Sequence, residues 1–220
     1  MNIRRTLIAP LLALAVLLAG CGAGSPLLEG GDTAPSSGSG AASDAADTAQ
    51  TVYLGDFTAQ TLDGEAIDQT VFQGHALTVV NVWATFCGPC KDEMPILAKL
   101  DGEMGDEVQF LGVVTDVTDQ DLNPDQAQVD LAARLAEAAG VAYRNLQLNE
   151  SLAMLGFAGL QAVPATLFVD ANGCLVGQGF YGALDEENWR AVIEERLEQA
   201  RQQAERADGP GDASGGEQAV

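Results

Sequence analysis

The sequence predicts an α/β fold built on a mixed sheet, and three observations carry that prediction. Residues 78–84, TVVNVWA, form a β-branched apolar run of strand length, which is typical of a strand buried on both faces. Apolar residues at helical spacing follow this run. Further along, Asn172-Gly173 is a strong signal for a tight hairpin turn. Strands that alternate with helices and end in a hairpin predict a mainly parallel sheet with an antiparallel edge.

The other elements are predicted in chain order from apolar periodicity and from capping residues. The first helix follows Cys90 and carries apolar side chains at Met94, Leu97 and Leu100. The last helix begins after Asp185, which has the side chain of a helix cap. We expect strands over 108–115, 145–148, 164–170 and 174–181, and helices over 125–139, 150–157 and 185–206.

The first twenty residues have the pattern of a secretory signal peptide. Arg4 and Arg5 precede an uncharged apolar run over 7–19. That run is too short for a comfortable membrane span, which needs about 20 apolar residues. It ends in LAGC at residues 18–21, which resembles the bacterial lipobox, whose cysteine becomes lipidated. We therefore expect Cys21 to carry a lipid anchor on the outer face of a cell membrane; an ordinary secretory signal with a chance cysteine is the alternative.

Composition then divides the mature chain. Residues 21–50 are dominated by Gly, Ala, Ser, Thr and Asp, which predicts a flexible linker that cannot bury enough apolar surface to fold. We expect one folded domain over 51–200, with a helix end and a disordered acidic tail over 201–220. The net charge of −22 argues against nucleic acid and against adsorption to anionic lipid. A partner protein is not expected to be strongly acidic where it docks.

The number and spacing of the four cysteines argue against a closed zinc site. Cys87 and Cys90 form a single CxxC pair, whereas a site built from two such pairs needs a second one, and the sequence has none. The only histidine, His75, stands before a strand and is expected to be a loop residue. We therefore predict no metal. Cys174 is expected to be a partly buried free thiol on a strand, and an extra redox or intermolecular site is the alternative.

The pair lies at a strand-to-helix turn, which indicates redox chemistry. A helix N-terminus stabilises a thiolate, so we expect Cys87 to be exposed and to have the lower pKa. Cys90, one turn into the helix, is expected to be more buried. Pro89 occupies a helical position that tolerates its missing N–H. A purely structural disulfide would close a very small loop and gain little from loop entropy.

Two segments carry a resemblance to a known family. WATFCGPCKDEMP at 83–95 and VPATLFVDANG at 163–173 resemble the thioredoxin superfamily and, more narrowly, the TlpA/ResA-like thiol–disulfide oxidoreductases. The resemblance covers about residues 53–200. It implies a thioredoxin-like fold, with a central mixed sheet flanked by helices, an N-terminal β-hairpin and an inserted helix.

The resemblance also implies a substrate-binding surface around the pair. Pro164 is expected to be cis and to face the cysteines, and the backbone of Val163 to pair with an extended substrate chain. Trp83 would be the aromatic residue beside the active site. Gly88 and Pro89, between the two cysteines, complete the expected substrate-binding residues.

The sequence departs from thioredoxin itself at two positions. Asn81 stands where thioredoxin has a buried carboxylate, which removes the proton acceptor proposed there for Cys90. In the subfamily an acidic residue after the next strand can substitute, and Asp116 is the candidate. Phe86 replaces the usual Trp before the first cysteine, which changes the docking surface mildly.

The function expected from this resemblance is a membrane-tethered reductase of protein disulfides. Its redox-active disulfide would be its only redox group, with no separate cofactor. Electrons would come from a membrane dithiol carrier of the CcdA/DsbD type. Extracytoplasmic substrates would include apocytochrome c haem-site cysteines, in cytochrome c maturation, or oxidised methionine sulfoxide reductases. We expect the protein to be a monomer.

Two other functions are alternatives to the reduction of protein disulfides. A peroxiredoxin-like peroxidase would have Thr three residues before its reactive cysteine, but Ala84 stands there and Thr85 is one position away. A copper-binding lipoprotein would need Met or His side chains around the thiols, and only Met94 is near.

Overall fold

The computed structural model describes residues 52–208, and these belong to one compact unit. The predicted signal peptide, the predicted lipidation site Cys21, the predicted linker and the end of the tail lie outside the described residues. None of the helices within 52–208 combines the length and the apolar character that a membrane span requires.

An antiparallel hairpin comes first. Strands β1 (Thr58–Gln60) and β2 (Ala66–Asp68) pair with Ala59 opposite Ile67, and both of these side chains are buried. The N-terminal hairpin that the resemblance implied is confirmed.

The main sheet has five strands in the order β5-β4-β3-β6-β7. The central strand β3 pairs in parallel with β4, and β4 in parallel with β5, whereas β6 and β7 run antiparallel to their neighbours. All seven residues of β3 are buried, as its apolar sequence predicts. The strands are β3 (Leu77–Trp83), β4 (Val108–Val114), β5 (Asn145–Gln147), β6 (Ala165–Asp170) and β7 (Phe180–Tyr181).

The helices follow the predicted order, and two apolar layers cover the sheet. Neighbouring residues of β3 point to opposite faces: Val79 packs with Leu97 and Trp189 on one face, whereas Val80 packs with the hairpin on the other. The predicted mixed sheet flanked by helices, with one inserted helix, is therefore confirmed. The helices are α1 (Gly88–Glu103), α2 (Gln126–Ala138), α3 (Glu150–Met154) and α4 (Glu186–Asp208), and α2 is the inserted one.

The predicted return strand over 174–181 is largely wrong. Asp170 accepts the N–H groups of Asn172 and Cys174, so the expected turn forms. After the turn, however, the regular strand is limited to Phe180–Tyr181. The reason is Gly177, whose φ of 63° lies in the left-handed region and interrupts an extended chain.

Cys174 lies in this irregular stretch, where it forms an isolated bridge with Tyr53. The thiol is free and half-buried, in agreement with the expectation of a partly buried thiol. Burial raises its pKa, which makes it a weaker nucleophile at neutral pH.

Candidate functional site

A disulfide joins Cys87 and Cys90 at the N-terminus of α1. Cys87 is the capping residue, and its Sγ accepts the backbone N–H of Cys90 at 3.1 Å. Pro89 lies in the first turn, where its lack of an N–H costs nothing. The predicted position of the pair, between a buried strand and a helix, is confirmed.

The prediction that Cys87 is exposed is wrong. Cys87 is 5% exposed and Cys90 is fully buried, so only the predicted order of burial is correct. Both cysteines belong to a buried apolar cluster that also contains Met94 and Val114. The exposed rim consists of Phe86, Gly88 and Pro89, and Phe86 is 75% exposed.

The Val163–Pro164 peptide is cis, as the resemblance implied. The side chain of Val163 packs against the cluster that contains the two cysteines, so this segment lies next to the pair. The carbonyl of Pro164 accepts the N–H of Gly182 at 2.9 Å, which ties the segment to the end of β7. The pairing of Val163 with a substrate chain stays a prediction.

Trp83 is fully buried in the cluster that contains the pair. Its Nε1 donates to Asn145 Oδ1 at 2.8 Å, and its ring packs in the same cluster as the cysteines. The exposed aromatic ring beside the pair is therefore that of Phe86, and Trp83 supports the site from inside.

Asp116 holds the loop that leads into the pair. Its carboxylate accepts the backbone N–H of Thr85 at 2.9 and 3.0 Å and the hydroxyl of Thr85 at 2.5 Å. The Lys91 ammonium group donates to the backbone carbonyl of Thr85 at 3.2 Å. These contacts fix the segment just before Cys87. The proton-acceptor role predicted for Asp116 stays a prediction.

Glu93 is the site residue that the sequence reasoning missed. It lies on α1 three residues after Cys90, so both side chains lie on the same face of the helix. Glu93 is only 1% exposed. Its Oε1 accepts Asn81 Nδ2 at 3.0 Å, and its Oε2 accepts Trp189 Nε1 at 3.3 Å. One feature of the sequence could have identified Glu93: this acidic residue lies next to Met94, on the apolar side of the predicted helix.

The environment of Glu93 gives its carboxyl group an unusual affinity for protons. Burial raises its pKa to about 7, and the hydrogen bonds from Asn81 and Trp189 oppose that rise. A carboxyl group that titrates near neutral pH is suited to accept a proton from a neighbouring thiol and to return it. The pair, the helix N-terminus and Glu93 together can therefore carry out thiol–disulfide exchange.

Metal-binding clusters and cavities are the other places within residues 52–208 where a functional site could lie. Among residues 52–208, no cluster of three or more His, Cys, Asp or Glu side chains could hold a metal ion. Two cavities, of about 480 and 270 Å³, share His75 and Arg144 in their walls, and neither is lined by Cys87 or Cys90. His75 Nδ1 lies 2.8 Å from the carbonyl of Asp106, which makes it part of a loop contact.

The fold and the site define a thioredoxin-fold protein built for thiol–disulfide exchange. The chain belongs to the Redoxin family, whose model matches residues 31–193. It is 25% identical over 121 residues to the thiol-disulfide oxidoreductase ResA of Halalkalibacterium halodurans, and this match covers 54% of the chain and 62% of ResA. It is 31% identical over 144 residues to the thiol:disulfide interchange protein DsbE of Vibrio cholerae, which covers 63% of the chain and 70% of DsbE. The chain thus spans about three fifths of the length of ResA.

Solved structures show the same fold. A thioredoxin-family thiol:disulfide interchange protein from Chlorobium tepidum superposes with a TM-score of 0.56 at 18% identity, over 67% of this chain and 97% of that protein. A DsbF homologue from Corynebacterium diphtheriae superposes with a TM-score of 0.55 at 17% identity, over 68% and 89% of the two chains.

Proposed function

We propose that this protein is a membrane-tethered, extracytoplasmic reductase of protein disulfides. The observation that carries the proposal is the Cys87–Cys90 disulfide at the N-terminus of α1, with the buried carboxyl group of Glu93 three residues further along the helix. The similarity to ResA and DsbE supports thiol–disulfide exchange as the chemistry. The CGPC sequence, which resembles that of the reducing thioredoxins, supports the direction.

In the first step, the Cys87 thiolate attacks one sulfur of a substrate disulfide. A mixed disulfide forms, and the other substrate sulfur leaves as a thiolate. The N-terminus of α1 and the N–H of Cys90 stabilise the attacking thiolate. The exposed rim around Phe86 provides the surface on which the substrate docks.

In the second step, Cys90 attacks Cys87 and releases the substrate. Glu93 accepts the proton of the Cys90 thiol, and the resulting thiolate attacks the Cys87 sulfur of the mixed disulfide. The Cys87–Cys90 disulfide forms while the second substrate sulfur leaves as a thiolate, to which Glu93 returns the proton. The substrate gains two electrons, and the protein must be reduced again before another turnover.

The family resemblance supports a proposal for the source of those electrons and for the final acceptor. A membrane dithiol carrier of the CcdA/DsbD type would reduce Cys87 and Cys90. Protein disulfides such as those of apocytochrome c or of methionine sulfoxide reductases would be the acceptors. The pattern at residues 1–21 supports a lipid anchor at Cys21, which would keep the domain beside such a carrier.

The reduction potential of the Cys87–Cys90 couple tests the direction of electron flow. We would equilibrate the Cys174→Ser protein with dithiol redox buffers and count free thiols by alkylation. A value near thioredoxin's, about −270 mV, is expected for a reductase. A value near about −120 mV would assign the protein to disulfide formation instead.

Two controls address the alternative functions and the anchor. The reduced protein should reduce insulin, and Cys87→Ser should abolish that activity, whereas tight stoichiometric binding of Cu(I) without insulin reduction would favour copper binding. Cys21→Ser should release the protein from the membrane fraction and leave insulin reduction unchanged. Retention of Cys21→Ser in the membrane fraction would contradict the lipid anchor.

A further inference from the structure

We propose that Trp189, on the C-terminal helix, is a positioning residue for the exchange reaction, because its indole N–H holds the carboxylate of Glu93, which lies one helical turn after Cys90 on α1. The inference rests on the proposed role of Glu93 as proton acceptor. Helix α4 carries neither cysteine of the pair, but through Trp189 it would take part in proton transfer from Cys90.

The indole ring of Trp189 is fixed from several sides. Trp189 is fully buried, and its ring packs edge-on against Phe180 with ring centroids 5.8 Å apart. Its backbone N–H donates to the carbonyl of Asp185 at 2.9 Å in the first turn of α4. A buried ring held at both its edge and its backbone presents the N–H in a fixed direction.

Surface ion pairs join α4 to α1. Glu186 accepts from Lys99 at 2.7 and 2.8 Å, and Arg190 contacts Glu103 at 2.5 Å. Glu186 and Arg190 lie on either side of Trp189 in the sequence of α4. Their partners on α1 follow Glu93 towards the C-terminal end of that helix. Each exposed pair contributes little free energy by itself, but together they link the two helices that carry the hydrogen bond.

Glu93 has one donor on each carboxylate oxygen, and the two donors differ in kind. Asn81 has an amide that can donate through its nitrogen or accept through its oxygen. In the structure, Asn81 Nδ2 also contacts the Thr166 hydroxyl at 3.3 Å, and the buried Oδ1 has no partner. A rotation of this amide would present Oδ1 to a protonated Glu93, and Thr166 could then donate to Oδ1.

Trp189 has no such freedom, because an indole N–H can only donate. Its hydrogen bond therefore stabilises the charged carboxylate and gives nothing comparable to the protonated acid. Asn81 can support both protonation states, whereas Trp189 favours only one. Both hydrogen bonds lower the pKa of Glu93, that of Asn81 more than that of Trp189, but only the Trp189 donor is unable to turn and accept from the protonated acid.

Loss of the indole N–H of Trp189 should raise the pKa of Glu93. Trp189→Phe keeps an aromatic ring in the core and removes the donor. A hydrogen bond to a charged group is worth enough to move a pKa by about one to two units, so we expect the pKa of Glu93 to rise by that amount. Because Glu93 would then be mostly protonated at pH 7, the rate of substrate release from the mixed disulfide should fall about tenfold. The rate should recover at higher pH.

The experiment uses the full chain and four variants: Trp189→Phe, Glu93→Gln, the double variant, and Ile193→Val. The last is the packing control, because Ile193 is buried in the same cluster on the same helix and its aliphatic side chain offers no hydrogen-bond donor. The carboxyl ¹³C resonance of Glu93, assigned by its loss in Glu93→Gln, reports the titration in the oxidised protein. Exchange of the reduced proteins with cystamine, quenched in acid and alkylated, gives the rate between pH 5 and 9.

The expected result is a raised Glu93 pKa and a shifted pH–rate profile in Trp189→Phe, with wild-type behaviour in Ile193→Val. In the Glu93→Gln background, Trp189→Phe should cause no further shift. In the wild-type protein, which needs no substitution, the indole N–H resonance of Trp189 should titrate with the same midpoint as Glu93. This measurement keeps the test valid if Trp189→Phe fails to fold.

The outcomes separate the inference from the proposed function. An unchanged Glu93 pKa in Trp189→Phe, an equal shift in Ile193→Val, or an indole resonance that ignores the Glu93 titration would overturn the role of Trp189 alone. If Glu93→Gln itself keeps the wild-type pH–rate profile, the proton-acceptor role of Glu93 fails, and the inference fails with it.

Discussion

Glu93 shows how opposing effects at one residue set a chemical property. Its ordinary pKa of 4.5 rises to about 7 because burial penalises the charged form. Two hydrogen-bond donors, Asn81 and Trp189, favour the charged form and limit the rise. Burial is the larger effect, so the carboxyl group titrates close to neutral pH, where proton exchange with a thiol is most useful.

The raised pKa makes stability depend on pH in a specific direction. Between about pH 4.5 and 7 the folded protein keeps the Glu93 proton while the unfolded chain has lost it, so the free energy of unfolding falls as pH rises through this window. The total loss is on the order of 3 kcal/mol and is complete above pH 7. Glu93→Gln removes this component. Urea unfolding of oxidised wild type and oxidised Glu93→Gln at pH 5 and pH 8 measures this effect. From pH 5 to pH 8, the free energy of unfolding of the variant should increase relative to that of wild type. The same pH dependence in both proteins would contradict a raised pKa at Glu93.

At the scale of elements, the ends of helices carry the site. The N-terminus of α1 receives the Cys87 sulfur as its cap, and the loop before it is held by Asp116 through Thr85. The first turn of α4 contains Trp189 and begins after Asp185, whose Oδ1 accepts the N–H of Asn188 at 2.9 Å. Both helices thus present functional groups from their first turns, where capping matters most.

Removal of the α4 cap should weaken the fold and loosen this turn. Asp185→Ala leaves the N–H of Asn188 without its acceptor, and we expect it to lower the free energy of unfolding by about 1 kcal/mol. Asp185→Asn keeps a capping oxygen and should lose less than half as much. Urea unfolding at pH 7 measures both. Equal losses in the two variants would mean that the charge of Asp185 matters and the cap does not.

The whole molecule is strongly acidic, with 32 acidic and 10 basic residues in the sequence. Several of the basic groups are already paired with acids on the surface, among them Lys99, Arg190 and Arg201. The long-range field of the domain should therefore attract positive substrates and repel negative ones. This field affects how fast substrates arrive and leaves the chemistry at the pair unchanged.

Two small disulfides of opposite charge test this effect. Cystamine is cationic and dithiodipropionate is anionic. For each reductant we would divide the rate of cystamine reduction by the rate of dithiodipropionate reduction, and then normalise the ratio for the protein by the ratio for dithiothreitol. At low salt this normalised ratio should be about ten. Addition of salt to about 0.5 M should remove most of the difference by screening. A normalised ratio that does not change with salt would exclude electrostatic steering.

Local patterns in the sequence determined the order of elements, the hairpin turn at Asn172-Gly173 and the cysteine pair at a helix N-terminus. Apolar periodicity, caps and turn residues act over a few positions, so the sequence is sufficient to read them. The pair itself is a local motif, because Cys87 and Cys90 are three positions apart and share one turn of α1.

The tertiary structure decided which side chains surround the pair. Glu93 is buried because Asn81, 12 residues away, and Trp189, 96 residues away, meet it from two other elements. The burial of Cys87 likewise results from packing with Val114 and other residues distant in sequence. A charged residue on an apolar helix stripe can be detected in a sequence, but its partners and its proton affinity depend on contacts that form only when β3, α1 and α4 pack together.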